Sequence, residues 1–251
     1  MRVVLTRPRQ EAERWAARLR ECGHAPLVLP LMAIAPPPDL QPLRAAAADL
    51  ARYRAAMFVS ANAVQGFLAV AGRFEGPRAW APGMATREAL RAAGVAAERI
   101  DAPAQDAEQF DSESLWQQVH GQLKAGDRLL LVRGGDSEGR SQGREWLAQQ
   151  LAARGVAVDT VMAYIRQRPS WSQAEQALAR AAAADGSVWL FSSSEAAAHL
   201  AVLLPGQSWA AARALATHPR IAQAVRALGF GSVRQTRPAL EDVMASIESV
   251  G

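Results

Sequence analysis

Six short polar turns contain the side chains that are best suited to bind an anionic ligand. They are rich in hydroxyl groups, glycine and arginine. In chain order the turns are Thr6–Pro8, Ser60–Asn62, Pro82–Thr86, Arg133–Asp136, Ser192–Ser194 and Thr217–Pro219. Within these turns, Arg7, Gly83, Gly134 and Ser193 are also candidate binding residues. Small residues leave backbone N–H groups accessible at a helix N-terminus, and that arrangement binds anions. The alternative interpretation is that each hydroxyl or amide side chain only caps a helix, which contributes about 1 kcal/mol.

Several other chemistries lack their sequence motifs. The chain has no P-loop, and its glycine-rich stretch Arg133–Gly139 lacks the spacing of a dinucleotide fingerprint. The four histidines show no i,i+4 pairing of the kind that ligates zinc. Ser192–Ser194 is not part of a G-x-S-x-G nucleophile elbow. We therefore expect no P-loop nucleotide site, no dinucleotide site, no metal site and no serine nucleophile.

Composition limits the protein class. The chain has 251 residues, of which 50% are hydrophobic and 21% charged, as in a globular protein. Its net charge is only +4 and it contains no run of like charges, so a nucleic-acid-binding arm is not expected. No apolar stretch approaches the ~20 residues that span a bilayer. The single cysteine, Cys22, excludes an internal disulfide and is expected in the core of a cytoplasmic protein.

The turns alternate with segments that have strand and helix patterns. Arg2–Thr6 is rich in β-formers, and Ala12, Ala16 and Leu19 then recur at helical spacing. Leu27–Pro30 is predicted to be the second strand. A βαβ opening of this kind favours a parallel sheet, in which ligands bind beyond the carboxyl ends of the strands. The six turns are expected at those ends.

The chain contains an apparent duplication. Three segment pairs keep the same order at offsets of 126, 133 and 135 residues. The pairs are Arg2–Arg7 with Arg128–Arg133, Met57–Asn62 with Leu190–Glu195, and Trp80–Gly94 with Leu215–Gly229. They predict two similar, doubly wound, parallel-sheet α/β domains of flavodoxin or Rossmann type, with a cleft between them. The alternative is that any two α/β units share strand–turn–helix patterns.

The chain resembles the uroporphyrinogen-III synthase family in an ordered set of segments. The first segment is Val4–Pro8, followed by Leu19, Gly23 and Pro30. The later segments are Phe58–Val64, Gly83–Thr86, Leu131–Gly134, Gly155–Tyr164 and Phe191–Ser194. No single motif is diagnostic, and the ordered set covers essentially the whole chain. The chain departs from the family at Thr217–Arg220, where a Gly-Pro-Thr-like turn is common.

The resemblance implies a particular domain organisation. Members of the family fold as two α/β domains joined by a two-stranded connector, and the first domain is discontinuous. Here that domain would contain residues 1–35 and 169–251, and the second residues 36–168. The Pro-rich stretch Ala35–Asp39 and the polar stretch Arg166–Pro169 suit the two crossings.

The resemblance also implies an activity. A lyase of haem biosynthesis would close hydroxymethylbilane to uroporphyrinogen III, with loss of water and inversion of ring D through a spiro intermediate. It would need no cofactor and no metal. Its expected partners are this substrate and, transiently, the preceding pathway enzyme. Binding to nucleic acid or to a membrane is not expected. A monomer is expected because no helix has a large exposed apolar face.

The resemblance implies the site residues as well. Tyr164 matches the family's active-site tyrosine and would donate a proton, although it could instead pack beneath the linker. The expected substrate-binding residues are Arg7, Ser60, Asn62, Gly83, Thr86, Arg133, Gly134, Ser192, Ser193 and Thr217. Arg7 has an alternative role as a structural arginine that bonds linker carbonyls. The rival function is a non-catalytic, two-lobed α/β protein that binds a small molecule.

Overall fold

The computed structural model describes residues 1–103, 112–136 and 146–248, which divide into two units. Unit one comprises Met1–Ala33 and Gln167–Gly251, and unit two comprises Ile34–Arg166. The chain therefore crosses between the units twice, each time two residues before the predicted boundary. Within the described ranges, no helix is both long and apolar enough to cross a membrane.

Strands and helices alternate along most of the chain. The strands are β1 (Arg2–Leu5), β2 (Ala25–Val28), β3 (Ala33–Ala35), β4 (Ala55–Phe58), β5 (Arg78–Trp80), β6 (Ile100–Asp101), β7 (Arg128–Gly135), β8 (Ala157–Gln167), β9 (Val188–Phe191), β10 (Arg213–Ala216) and β11 (Ser232–Gln235). The α-helices are α1 (Arg9–Glu21), α2 (Gln41–Ala48), α3 (Ala61–Ala71), α4 (Met84–Ala92), α5 (Ser112–Val119), α6 (Trp146–Ala152), α7 (Gln173–Ala182), α8 (Ser194–Leu203), α9 (Pro219–Ala227) and α10 (Leu240–Glu248).

The two units contain sheets of the same strand order. Unit one has β2-β1-β9-β10-β11, and the neighbouring strands are parallel. Unit two contains β8-β7-β4-β5-β6, again with parallel neighbours. The segments predicted to be duplicated, β1 with β7, β9 with β4 and β10 with β5, occupy equivalent places. The prediction of two similar doubly wound sheets is thus confirmed, with the order of flavodoxin-like folds.

The units differ in the order in which the chain visits these strands. Unit one begins with β1 and β2, whereas the equivalent pair in unit two, β7 and β8, comes last. Unit two also has an additional strand, β3, beside β8. The first chain crossing lies within β3, and the second lies at the end of β8. These two neighbouring strands therefore form the predicted two-stranded connector.

Local physics explains where the first elements begin and end. Helix α1 starts after Pro8, whose fixed φ suits a helix start, and buries Ala12, Ala16 and Leu19. The second strand is Ala25–Val28 instead of Leu27–Pro30; Pro26 is tolerated there because β2 is an edge strand. The prediction that Cys22 packs in the core is wrong. Because α1 ends at Glu21, Cys22 lies in the following turn and is exposed.

Each sheet has an apolar core on both faces. In unit one, Trp189 and Trp209 pack edge to face, and Trp209 stacks on Phe230 at a centroid distance of 4.9 Å. In unit two, Phe58 packs edge to face against Phe67 and Phe74. Apolar strands covered on both faces are expected for parallel sheets, because their crossover helices lie on both sides.

Helix α3 approaches strand β8 unusually closely at Gly66. A Cβ added to Gly66 would overlap the carbonyl oxygen of Ala163 and lie 2.8 Å from the carbonyl carbon. Both atoms are backbone, so a side-chain rotation cannot relieve the overlap. Glycine is therefore required at this position in the helix.

We expect Gly66→Ala to destabilise the protein by about 1–3 kcal/mol, the usual cost of overpacking. An alanine in an unobstructed helix interior would instead stabilise by about 0.5–1 kcal/mol. Urea unfolding measures the difference. Gly121→Ala is a suitable control because an added Cβ there meets nothing within 4 Å. A Gly66→Ala protein as stable as wild type would contradict the close approach.

Candidate active site

Tyr164 lies on β8 with its ring against the backbone of β7. Strand β8 has a bulge at Ala163: Arg133 of β7 pairs with Met162, and the next residue, Gly134, pairs with Tyr164. A Cβ added at Gly134 would overlap the ring atoms Cζ, Cε1 and Cε2 of Tyr164. The tyrosine is consequently buried, with 7% of its surface exposed. Glycine at position 134 is what admits the ring.

The hydroxyl of Tyr164 meets the side chain of Ser60. The Ser60 Oγ lies 3.1 Å from the Tyr164 Oη, and either hydroxyl can donate. Ser60 is also the N-cap of α3, where its Oγ accepts from the Ala63 N–H at 3.2 Å. The Ser60 side chain can therefore cap α3 and contact Tyr164 at the same time. We refer to Tyr164, Gly134 and Ser60 as the tyrosine cluster.

The tyrosine cluster lies at the carboxyl ends of three neighbouring strands. Tyr164 belongs to β8, Gly134 to β7, and Ser60 follows β4; these strands are adjacent in the order β8-β7-β4. The order reverses between β7 and β4, which makes this the topological switch point of unit two. Ligands of open α/β sheets bind at such points.

The other predicted residues of unit two surround the same edge of the sheet. Asn62 is in the first turn of α3, and Gly83 is the N-cap of α4, where its carbonyl accepts from the Thr86 N–H at 3.1 Å. Thr86 is buried within α4. Arg133 of β7 pairs with Met162, just before the bulge in β8, and is half-buried.

In unit one, Arg7 is held against helix α1. Its guanidinium pairs with Glu11 and lies over the ring of Trp15, 4.0 Å from the centroid. The side chain is 11% exposed. These contacts are made within the first turns of α1, which differs from the expectation that a structural Arg7 would bond linker carbonyls.

Strand β9 of unit one is followed by the serines of the fifth turn. Ser193 is the N-cap of α8, and its Oγ accepts from the N–H groups of Glu195 and Ala196 at 3.2 and 3.4 Å. Ser192 precedes it and is half-buried. Because β1 and β9 are the equivalents of β7 and β4, Arg7 and the serines lie at the switch point of unit one.

Thr217 follows β10, and its N–H donates to the Phe191 carbonyl at 3.1 Å. It does not cap α9. The cap is His218, whose Nδ1 accepts from the Arg220 N–H at 3.2 Å. The capping role of His218 was not predicted, although Pro219 marks the helix start.

Thr6 lies in the first of the six predicted turns, but its sequence pattern does not indicate the contact that it makes. Its Oγ1 donates to the Leu190 carbonyl at 2.6 Å and so ties β1 to β9 at the switch point. Thr6 is 1% exposed, so the role is structural. In the described part of the chain, no group of three or more His, Cys, Asp or Glu side chains is placed to hold a metal ion.

Comparison with known proteins identifies the family of this chain. A family model described as uroporphyrinogen-III synthase HemD matches residues 13–245. A uroporphyrinogen-III synthase from Synechococcus elongatus is 32% identical over 177 residues, which are 67% of this chain and 61% of that protein. The chain thus spans about three fifths of the length of the curated relative that it matches.

Two solved structures show the same fold. Uroporphyrinogen-III synthetase from Helicobacter pylori is 16% identical with a TM-score of 0.59, and all of both chains is covered. A mutant uroporphyrinogen III synthase from Thermus thermophilus is 18% identical with a TM-score of 0.52, over 100% of this chain and 98% of that one. At these identities the likeness concerns the fold alone. The family model and the sequence relative together show that this chain belongs to the uroporphyrinogen-III synthase family.

Proposed function

We propose that this protein converts hydroxymethylbilane into uroporphyrinogen III, with loss of water and inversion of ring D. The observation that carries the proposal is the tyrosine cluster, a buried phenol held at the switch point of unit two in a chain of this family. A tyrosine hydroxyl that is held in place beside a substrate can act as a general acid.

Tyr164 acts on the leaving hydroxyl group of the substrate. As the C–O bond of the hydroxymethyl group breaks, the phenol gives its proton to the departing oxygen and water is released. The pyrrole nitrogen supplies the electron pair, and an azafulvene forms. Ring D attacks at its substituted carbon to give the spiro intermediate, which then fragments and recloses.

Ser60 supports this role of the phenol. When the Ser60 hydroxyl donates to the Tyr164 Oη, the phenol hydrogen remains available for the substrate. The same donated bond stabilises the negative charge that develops on Oη during proton transfer, since hydrogen bonds to charged groups are stronger than neutral ones. Ser60 is thus placed to orient the acid as well as to cap α3.

Other residues at these sheet edges bind the carboxylates of the substrate. In unit two they are Asn62, Gly83 and Arg133, with Ser60 and Gly134 of the tyrosine cluster; in unit one they are Arg7, Ser192, Ser193 and Thr217. They lie at helix N-termini and strand ends, where N–H groups and guanidinium groups suit a polycarboxylate. Thr86 was expected among them, but it is only 4% exposed, so it stabilises α4 instead of contacting the substrate.

Positioning of the substrate by these residues contributes roughly 7–11 kcal/mol to catalysis. One proton donor contributes only ~10²–10⁴-fold in rate, so geometry dominates the rate enhancement.

We further propose that the enzyme is a cytoplasmic monomer that receives its substrate from the preceding pathway enzyme. Only two large apolar side chains are exposed in the described ranges, Leu178 and Val202, which supports a monomer. The lone Cys22 supports a reducing compartment. A direct transfer would limit spontaneous closure of the substrate to the type I isomer.

The isomer composition of the product tests the proposed activity. The folded protein, incubated with hydroxymethylbilane, is expected to direct closure to the type III isomer. Heat-denatured protein should leave the spontaneous type I product. The two isomers are separated chromatographically after oxidation to the porphyrins. Type I alone from folded protein would reject the proposal and favour a non-catalytic binding protein.

The role of Tyr164 is tested by removing its hydroxyl. Tyr164→Phe is expected to lower kcat about ten- to thousandfold, because a general acid is lost, and to leave the fold intact. Tyr53→Phe is a matched control, because Tyr53 is the only other tyrosine and precedes β4 at the opposite edge of the same sheet. A wild-type rate for folded Tyr164→Phe would exclude the catalytic role.

A further inference from the structure

A pocket opens at the amino-terminal edge of the unit two sheet. Its volume is about 720 Å³, within the usual range for small-molecule sites. Strand β4 is four residues long, so the pocket lies about 13 Å along the strand from the edge that carries the tyrosine cluster. The two sites are therefore separate in the same unit.

Five arginines line this pocket: Arg52, Arg54, Arg78, Arg99 and Arg128. They lie at or just before the starts of β7, β4, β5 and β6, which are adjacent in the sheet. The backbones meet directly, since the Arg54 N–H donates to the Arg128 carbonyl at 2.9 Å. Neighbouring strands are about 4.8 Å apart, so the backbones of these arginines lie close together at one edge of the sheet.

Three of these arginines are held by carboxylates. Asp159 accepts from Arg52 and from Arg128 at 2.7 Å, and Asp101 accepts from Arg78 at 2.7 and 2.8 Å. The hydrogen bonds from the Arg128 guanidinium hold the pKa of Asp159 below its ordinary value, so this carboxylate is ionised at neutral pH. Two carboxylates thus anchor three arginines at the pocket and leave a net positive charge on this set.

The other two arginines have no carboxylate partner in the described ranges. Arg54 is exposed and makes no side-chain hydrogen bond or ion pair with any described residue. Arg99 donates only to the backbone carbonyl of Gly76 among those residues. Asp127 also lines the pocket, but its carboxylate accepts from the Lys124 N–H at 2.9 Å. Two guanidinium groups thus keep most of their donors for a ligand.

We propose that this pocket binds a small anion that carries two or more carboxylate or phosphate groups, held by Arg54 and Arg99. A guanidinium presents paired donors that match either oxyanion in a bidentate arrangement. Because the surrounding arginines are already anchored, binding orders few additional side chains, which favours affinity. The site does not depend on the proposed cyclisation.

Titration calorimetry of the full chain tests the proposal, with sodium pyrophosphate and sodium citrate as separate probes at constant ionic strength. We expect saturable binding at one site per chain for at least one probe. Arg54→Gln and Arg99→Gln should each weaken that binding about tenfold or more, since a hydrogen bond to a charged group is lost. Arg44→Gln, which removes an exposed arginine of α2 outside the pocket, should bind like wild type.

The outcomes separate the possible ligands and the two proposals. Binding of pyrophosphate alone assigns the site to phosphates, binding of citrate alone assigns it to carboxylates, and binding of both assigns it to either group. No saturable binding by wild type would overturn the inference. Binding that persists within twofold in both pocket variants would also overturn it, because the anion would then lie elsewhere. No tetrapyrrole is used, so failure here leaves the isomer assay unaffected.

Discussion

Two glycines allow the backbone to approach strand β8 on both sides of Tyr164, and the candidate site depends on those contacts. Gly66 brings α3 onto the carbonyl of Ala163, and Gly134 brings β7 under the ring of Tyr164. Ser60 is the N-cap of the same α3 helix. The packing of α3 on β8 therefore also sets the distance between the Ser60 and Tyr164 hydroxyls. The same close contact thus stabilises the fold and positions the two hydroxyl groups.

The two units use one strand order, but their switch points are built differently. In unit two the site contains a buried phenol beside a capping serine. At the equivalent place in unit one, Thr6 ties β1 to β9 and Arg7 is paired along α1. The duplicated scaffold thus supplies two edges with helix N-termini, and only one of them carries the candidate acid. This difference between the units agrees with the proposed mechanism, in which the edge in unit two donates the proton and the edges of both units bind carboxylates.

Sequence patterns predicted the parts of this structure that depend on local chemistry. Apolar strands, helical spacing and turn residues identified the doubled parallel sheet and placed Ser60, Gly83 and Ser193 at helix starts. Features that depend on tertiary contacts were not predictable in this way. The β8 bulge that pairs Tyr164 with Gly134, the close approach of Gly66 and the bond from Thr6 to Leu190 each involve segments that are distant in sequence. Cys22 was misplaced because its periodicity continues one residue beyond the end of α1.

The most direct test of the account is a double-mutant cycle on kcat for the cyclisation, with Gly134→Ala and Tyr164→Phe alone and together. If Gly134 acts by placing the phenol, Gly134→Ala lowers kcat in the wild-type background and has little further effect once the hydroxyl is gone, because residues that act as a unit are not additive. A wild-type kcat for folded Gly134→Ala, or full additivity of the two effects, would contradict the claim that the close approach at Gly134 positions the catalytic phenol.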